Sequence, residues 1–139
     1  MKGLNIEDLS LQRQLAIVFK ELELELSGLT SGTIFVQIRN NVVGKFGIKQ
    51  VPLMGRNGSF SGMSSQGLSA AQQLNFRNMA IESLNYKRSW THGEISFEFA
   101  LRQDMVVVDA TMESNYNMAN LMIRYTKAST YQKVNKELS

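Results

Sequence analysis

Residues Gly93 to Glu113 read GEISFEFALRQDMVVVDATME. Folded about Gln103-Asp104 as an antiparallel ribbon, this stretch pairs residues equidistant from the turn. Leu101 then faces Val106, Phe99 faces Val108, Phe97 faces Ala110 and Ile95 faces Met112. Every pair on that face is apolar, and a slip of one residue would scatter the set across both faces, so the register is strongly specified. The opposite face pairs Ser96 with Thr111, Glu98 with Asp109 and Glu94 with Glu113. Two of these are like-charged pairs, which are unfavourable without a cation nearby. The stretch therefore predicts a ribbon with one core face and one acidic face. Gln-Asp is not a usual pair for a two-residue primed turn, which leaves a longer loop open.

Upstream of the ribbon, Ser69-Ala-Ala-Gln72 has the spacing of a capping box and predicts a helix start. Ala70, Leu74, Ala80, Ile81 and Leu84 define its apolar side, and Arg77 falls in the middle of that side. A guanidinium placed there needs a carboxylate, carbonyls or an anionic ligand, or else its stem packs while its head reaches water. Lys87-Arg88-Ser89-Trp90-Thr91-His92 links this helix to the ribbon. Trp90 beside two cations is either a stacking surface for a base or a core residue. His92 reads as a hydrogen-bonding residue at a loop end. Downstream, Ser114-Asn-Tyr-Asn-Met-Ala-Asn120 leads into a last helix beginning near Leu121, with Met122, Arg124, Tyr125 and Lys127. Asn115, Asn117 and Asn120 with Tyr116 supply planar amides and a ring, a set suited to a nucleobase edge.

The first half of the chain has the same plan. Asn5-Ile-Glu-Asp8 reads as a helix start. Leu11, Leu15, Val18, Leu22, Leu26 and Leu29 follow at steps of three and four, predicting a helix of about six turns that ends near Ser27-Gly28. Ile17, Phe19 and Leu24 lie off that stripe, so the helix is either simply a core element or also packs on a second subunit. Gly32 to Val51 predicts another hairpin, with Ile34, Val36 and Ile38 alternating before Val42, Phe46 and Ile48. A three-residue loop at Arg39-Asn40-Asn41 would set Ile38 opposite Val42 and Ile34 opposite Phe46, with Asn41 left-handed. Lys45 and Lys49 on its outer face would neighbour the acidic face of the later ribbon. Residues 52–67, PLMGRNGSFSGMSSQG, have no period and predict a mobile loop. There, Gly55-Arg56-Asn57-Gly58 is either a connector or a cradle for phosphate, although no Walker motif is present.

Helix, glycine and hairpin thus occur twice: Gly32-Thr-Ile-Phe-Val-Gln-Ile echoes Gly93-Glu-Ile-Ser-Phe-Glu-Phe. The predicted fold is α+β, a four-stranded antiparallel sheet built from two helix–hairpin repeats in the order αββαββα, with the helices on one face. One domain would span residues 1–128, with a polar C-terminal tail over 129–139. The chain of 139 residues is long enough to bury a core, and its formal charge of +3 is mildly basic. Cysteine is absent and histidine occurs once, which excludes disulfides, thiolate metal sites and His-based zinc, and argues against a Ser-His-Asp triad. With no signal-like start and no long apolar run, a cytoplasmic location is expected, without membrane or long nucleic acid as partner.

FVQIRNNVVGKFG (35–47), WTHGE (90–94) and ESNYNMANL (113–121) resemble the short phage proteins that act as anti-Thoeris sponges. The resemblance extends over about Leu11 to Tyr125. It implies binding and sequestration of cyclic ADP-ribose-type immune signals by an oligomer, without catalysis or cofactor, in the host cytoplasm if the chain is phage-encoded. The candidate ligand residues come from the chain's own chemistry: Arg39, Arg56, Arg77 and Arg124 for phosphate, and Trp90, Asn115, Tyr116, Asn117 and Asn120 for the base. Two other readings fit the sequence. Glu94, Glu98, Asp109 and Glu113 could hold Mg²⁺ for phosphoryl chemistry. The chain could instead be an inhibitor or chaperone that docks a protein on its sheet or helix face.

Overall fold

The computed structural model describes residues 5–50, 54–61, 66–87 and 89–137. In chain order the elements are α1 (Leu11–Glu21), α2 (Glu23–Leu26), β1 (Ser31–Arg39), β2 (Val42–Gln50), β3 (Met54–Arg56), β4 (Ser59–Ser61), α3 (Ala70–Ser83), β5 (His92–Arg102), β6 (Met105–Ser114) and α4 (Met118–Glu137), with 3-10 turns at Ile6–Asp8 and Leu84–Tyr86. Four strands form one antiparallel sheet in the order β2-β1-β5-β6. Ile34, Val36 and Ile38 of β1 and Ile95, Phe97 and Phe99 of β5 are buried on one face, with α1 against β2 and α3 against β6. The fold is therefore the predicted α+β sheet with helices on one side. Its centre is aromatic: the Phe76 ring lies 4.8 Å from Phe19, 6.3 Å from Phe97 and 5.0 Å from Phe99. Each such buried side chain contributes about 1.5–3 kcal/mol through removal of apolar surface from water.

The β5–β6 ribbon has the register read from the sequence, including Phe97 opposite Ala110 and Glu98 opposite Asp109. Gln103 and Asp104 both have positive φ, 52° and 64°, so the strands join through a two-residue turn rather than a longer loop. The β1–β2 hairpin departs from the expected one. Asn40 and Asn41, at φ 50° and 61°, also form a two-residue turn, pairing Ile38 with Val43. The register then shifts between Ile38 and Val36, so that Val36 meets Phe46 and Ile34 meets Ile48. One extra residue in the Gly44-Lys45 region restores the apolar face that an unbulged two-residue hairpin would have lost.

The first helix is also divided differently. Asn5 caps only the short turn at Ile6–Asp8, while Ser10 caps α1 through the N–H of Arg13, 3.2 Å away. Leu22 breaks the helical path before α2. The Leu15, Val18, Leu22 and Leu26 stripe is buried as expected, and Phe19 joins it, whereas Ile17 and Leu24 face outward at 52% and 84% exposure. Within the expected loop at 52–67, residues 52–53 and 62–65 lie outside the described set. The segment between them is the β3–β4 hairpin, turning at Asn57-Gly58 with φ 55° and 79°. Asn-Gly is the residue pair such a turn favours. Likewise α4 starts at Met118 rather than Leu121, because the Asn117 side chain caps it by accepting from the N–H of Asn120 at 3.1 Å. It runs to Glu137, across the segment read as a tail. Among the described residues, no helix is long and apolar enough to cross a membrane.

The two repeats meet back to back. β1 and β5 are the central pair, and Gly32 and Gly93, 61 residues apart, each sit opposite a buried apolar residue of the other repeat, Phe99 and Ile38. The N–H of Asn40 donates to the carbonyl of Thr91 at 2.7 Å, and the N–H of Leu101 donates to that of Thr30 at 2.8 Å. These two bonds are related by the same offset. A local two-fold axis therefore passes between Phe35 and Ser96, which pair at the middle of the β1–β5 ladder.

Candidate functional site

One end of the β1–β5 pair carries a net positive charge. Arg39 ends β1 and pairs with His92 at the start of β5. Lys45 belongs to the bulged part of β2, where an extra residue re-aims the side chains around it. Asn115 follows β6 and is anchored by its N–H, which donates to the carbonyl of His92 at 2.8 Å. Together with Gln37 and Glu94 these residues line a cavity of about 460 Å³. Two permanent cations and a histidine stand there against a single carboxylate. The amides of Gln37 and Asn115 add donors and acceptors in the same place.

The floor of this end is rigid. Gln14 of α1 is only 2% exposed and spends its whole amide on the β1–β2 turn and its surroundings. Its Nε2 donates to the carbonyls of Leu9 and Asn41, both at 3.0 Å, and its Oε1 accepts from the N–H of Val43 at 2.7 Å. The Asn41 side chain accepts from the N–H of Trp90 at 3.3 Å, while the Asn41 N–H donates back to the carbonyl of Trp90 at 2.8 Å. Helix, turn and the strand-leading segment thus hold one another, and the turn they fix lies between Arg39 and Gly44, which both line the cavity.

The remaining expected ligand residues do not gather here. Trp90 is a core residue, 2% exposed, and so offers no open stacking face. Its ring lies beneath Lys87 Nζ at 5.2 Å, its Nε1 is buried with no hydrogen-bond partner, and it borders a separate groove of about 550 Å³ on the α1 side of the Asn40-Asn41 turn. Lys87 also donates to the Ser114 hydroxyl. Arg56 is exposed at the end of β3, beside the Asn57-Gly58 turn of the β3–β4 hairpin. Arg77 lies in a groove between α1 and α3. Tyr116, 79% exposed, precedes α4; Asn117 is spent as its cap, and Asn120 and Arg124 are exposed along it. Of the nine, only Arg39 and Asn115 line one cavity. Lys45, His92 and Gln37 also line it, and sequence reasoning misses them. The sequence pattern matches Lys45 to the acidic ribbon, and the bulge that places it beside Arg39 leaves no mark in the hydrophobic pattern.

The acidic residues face outward as expected, but β1 separates them from β2. One row across the sheet runs Lys49, Thr33, Glu98, Asp109. Lys49 stacks over the Phe35 ring, 5.6 Å from its centroid. Among the described residues, no three His, Cys, Asp or Glu side chains are grouped so as to hold a metal ion. At the far end of the β1–β5 pair a second outer-face cavity, about 350 Å³, is bordered by Thr33, Lys49, Glu98, Arg102 and Asp109. No family model matches the chain, and no curated protein or solved structure matches it.

Proposed function

We propose that the protein binds a small cyclic adenine nucleotide of the cyclic ADP-ribose type at the Arg39 cavity and holds it intact, so withdrawing the signal from host antiviral defence. The observation that carries this reading is the cluster of Arg39, Lys45 and His92 around a 460 Å³ space with Asn115 and Gln37 at its edge. That volume is in the range of small-molecule sites. Arg39 suits the diphosphate, because a guanidinium forms paired charge-assisted bonds to phosphate oxygens. The amides suit the base edge. The role asks for retention alone, and the resemblance to anti-Thoeris sponges points the same way.

The decisive experiment incubates the protein with cyclic ADP-ribose isomers, removes free ligand, heats the sample and identifies what is released by mass spectrometry. Intact nucleotide is expected. Arg39→Ala should weaken retention by about tenfold, the equivalent of one charge-assisted bond, while Arg102→Ala at the opposite cavity leaves it unchanged. Release of a cleaved product would reject sequestration.

Self-association belongs to the same proposal. Met118, Met122, Ile123 and Tyr125 of α4 are 67%, 55%, 55% and 63% exposed. Clustered apolar surface of this kind marks an interaction face, and an isolated helix is marginal in water without packing. Light scattering should show a mass of at least two chains at micromolar concentration, and Met122→Glu should reduce it toward one.

A further inference from the structure

A different part of the molecule contains an unbalanced cation. Arg77 comes from the middle of α3, and its Nε is buried without a hydrogen-bond partner. Leaving such a donor unmatched is costly, more so on a charged group. It borders a groove of about 280 Å³ between α1 and α3, whose opposite wall includes Lys20 of α1. Ala16 and Ala70 line the same groove, and their small side chains leave its space unfilled. Gln73 fixes the geometry: its Nε2 donates to the carbonyls of Glu23 at 3.3 Å and Leu68 at 3.2 Å, tying α3 to the end of the first helical segment. The groove contains one carboxylate, Glu23, against two cations, and no ion pair joins it to either. Two like charges on facing helices, one with an orphaned donor, are stabilised by an anion between them.

We infer that this groove is a second anion site, which takes a phosphoryl group of a small molecule between Arg77 and Lys20. Its volume accommodates a phosphate head with little attached, less than a whole nucleotide. It shares no residue with the Arg39 cavity, and the inference does not rest on the nucleotide reading.

Inorganic pyrophosphate is the probe, titrated calorimetrically into the full chain at constant ionic strength. In the Arg39→Ala variant, whose nucleotide cavity has lost its guanidinium, saturable binding of one equivalent at this groove is expected. Adding Arg77→Gln or Lys20→Gln should weaken it about tenfold. Lys20 is exposed, so its variant tests the site even if Arg77→Gln, checked by melting, folds poorly. Absence of saturable heat would overturn the inference. So would binding that survives Lys20→Gln, or binding abolished by Arg39→Ala, which would place the pyrophosphate in the other cavity.

Discussion

The two ends of the β1–β5 pair are built on one plan and differ in charge. Moving 61 residues along the chain carries Gln37 to Glu98, Arg39 to Ala100, His92 to Ser31 and Glu94 to Thr33. The cavity at the Arg39 end and the cavity at the Arg102 end are therefore local two-fold equivalents. The first sets Arg39 and Lys45 against Glu94; the second sets Lys49 and Arg102 against Glu98 and Asp109. One has a net positive charge and the other is balanced. The inward positions are matched by packing: Ile34 and Ile95 are each 0% exposed, and Val36 and Phe97 likewise. The outward positions carry no packing constraint, so the charge at each end was free to diverge. What is repeated is the frame; what makes one end a candidate site lies in side chains that the frame leaves unspecified.

The turns next to these ends differ even more. The Asn40-Asn41 turn is clamped from below by Gln14, a buried residue using three hydrogen bonds. Among the described residues, the Gln103-Asp104 turn is tied by an exposed hydrogen bond, in which Gln72 Nε2 donates to the carbonyl of Asp104 at 2.8 Å. Removing each glutamine sharpens the contrast and gives the largest effect expected here. Gln14→Ala strands the buried N–H of Val43 and leaves two carbonyls short of a partner, at about 1–3 kcal/mol for each buried group left unsatisfied. Roughly 3 kcal/mol of destabilisation should appear in urea unfolding. Gln72→Ala loses half of a capping box and one exposed bond, and should cost about 1 kcal/mol. Equal losses would mean that the clamp is not what distinguishes the two turns. Because the clamped turn lies between Arg39 and Gly44, which both line the cavity, Gln14→Ala should weaken nucleotide retention even at temperatures where the variant stays folded.

This contrast also explains what the sequence disclosed. Strand pairs with one wholly apolar face, such as Phe99 with Val108, are legible because burial allows only one register. The capping box at Ser69-Gln72 is legible because it is local. The β1–β2 register was not, since its correction is a bulge and a bulge is invisible to period-two counting. Side-chain chemistry marks candidate ligand residues in a sequence, and chemistry does not reveal proximity. Arg39 and Asn115 came together because β1 lies beside β5 and Asn115 bonds to His92. Trp90 went to the core because Gly93, whose added Cβ would fall 3.2 Å from its ring, leaves space for it.

The smallest effect concerns the first residue of each turn. Asn40 and Gln103 occupy the same position of a two-residue turn, at φ 50° and 52°. Asn adopts this left-handed region more readily than Gln, because its short polar side chain can bond locally and avoids the steric penalty of a longer one. Gln103 is exposed, and its side chain has no partner among the described residues. Gln103→Asn therefore removes strain without removing a contact, and should stabilise the fold by a few tenths of a kcal/mol, about 0.5 at most. Asn40→Gln is the mirror experiment: the N–H that donates to Thr91 is kept, only the side chain is worse suited, and stability should fall by a similar amount. Opposite signs at the two turns, read as a shift in unfolding midpoint at constant slope, are the outcome that backbone strain alone requires. If Asn40→Gln instead costs several times more than Gln103→Asn gains, the clamped turn depends on the identity of its first residue as well as on Gln14, and the two turns differ in more than their anchoring.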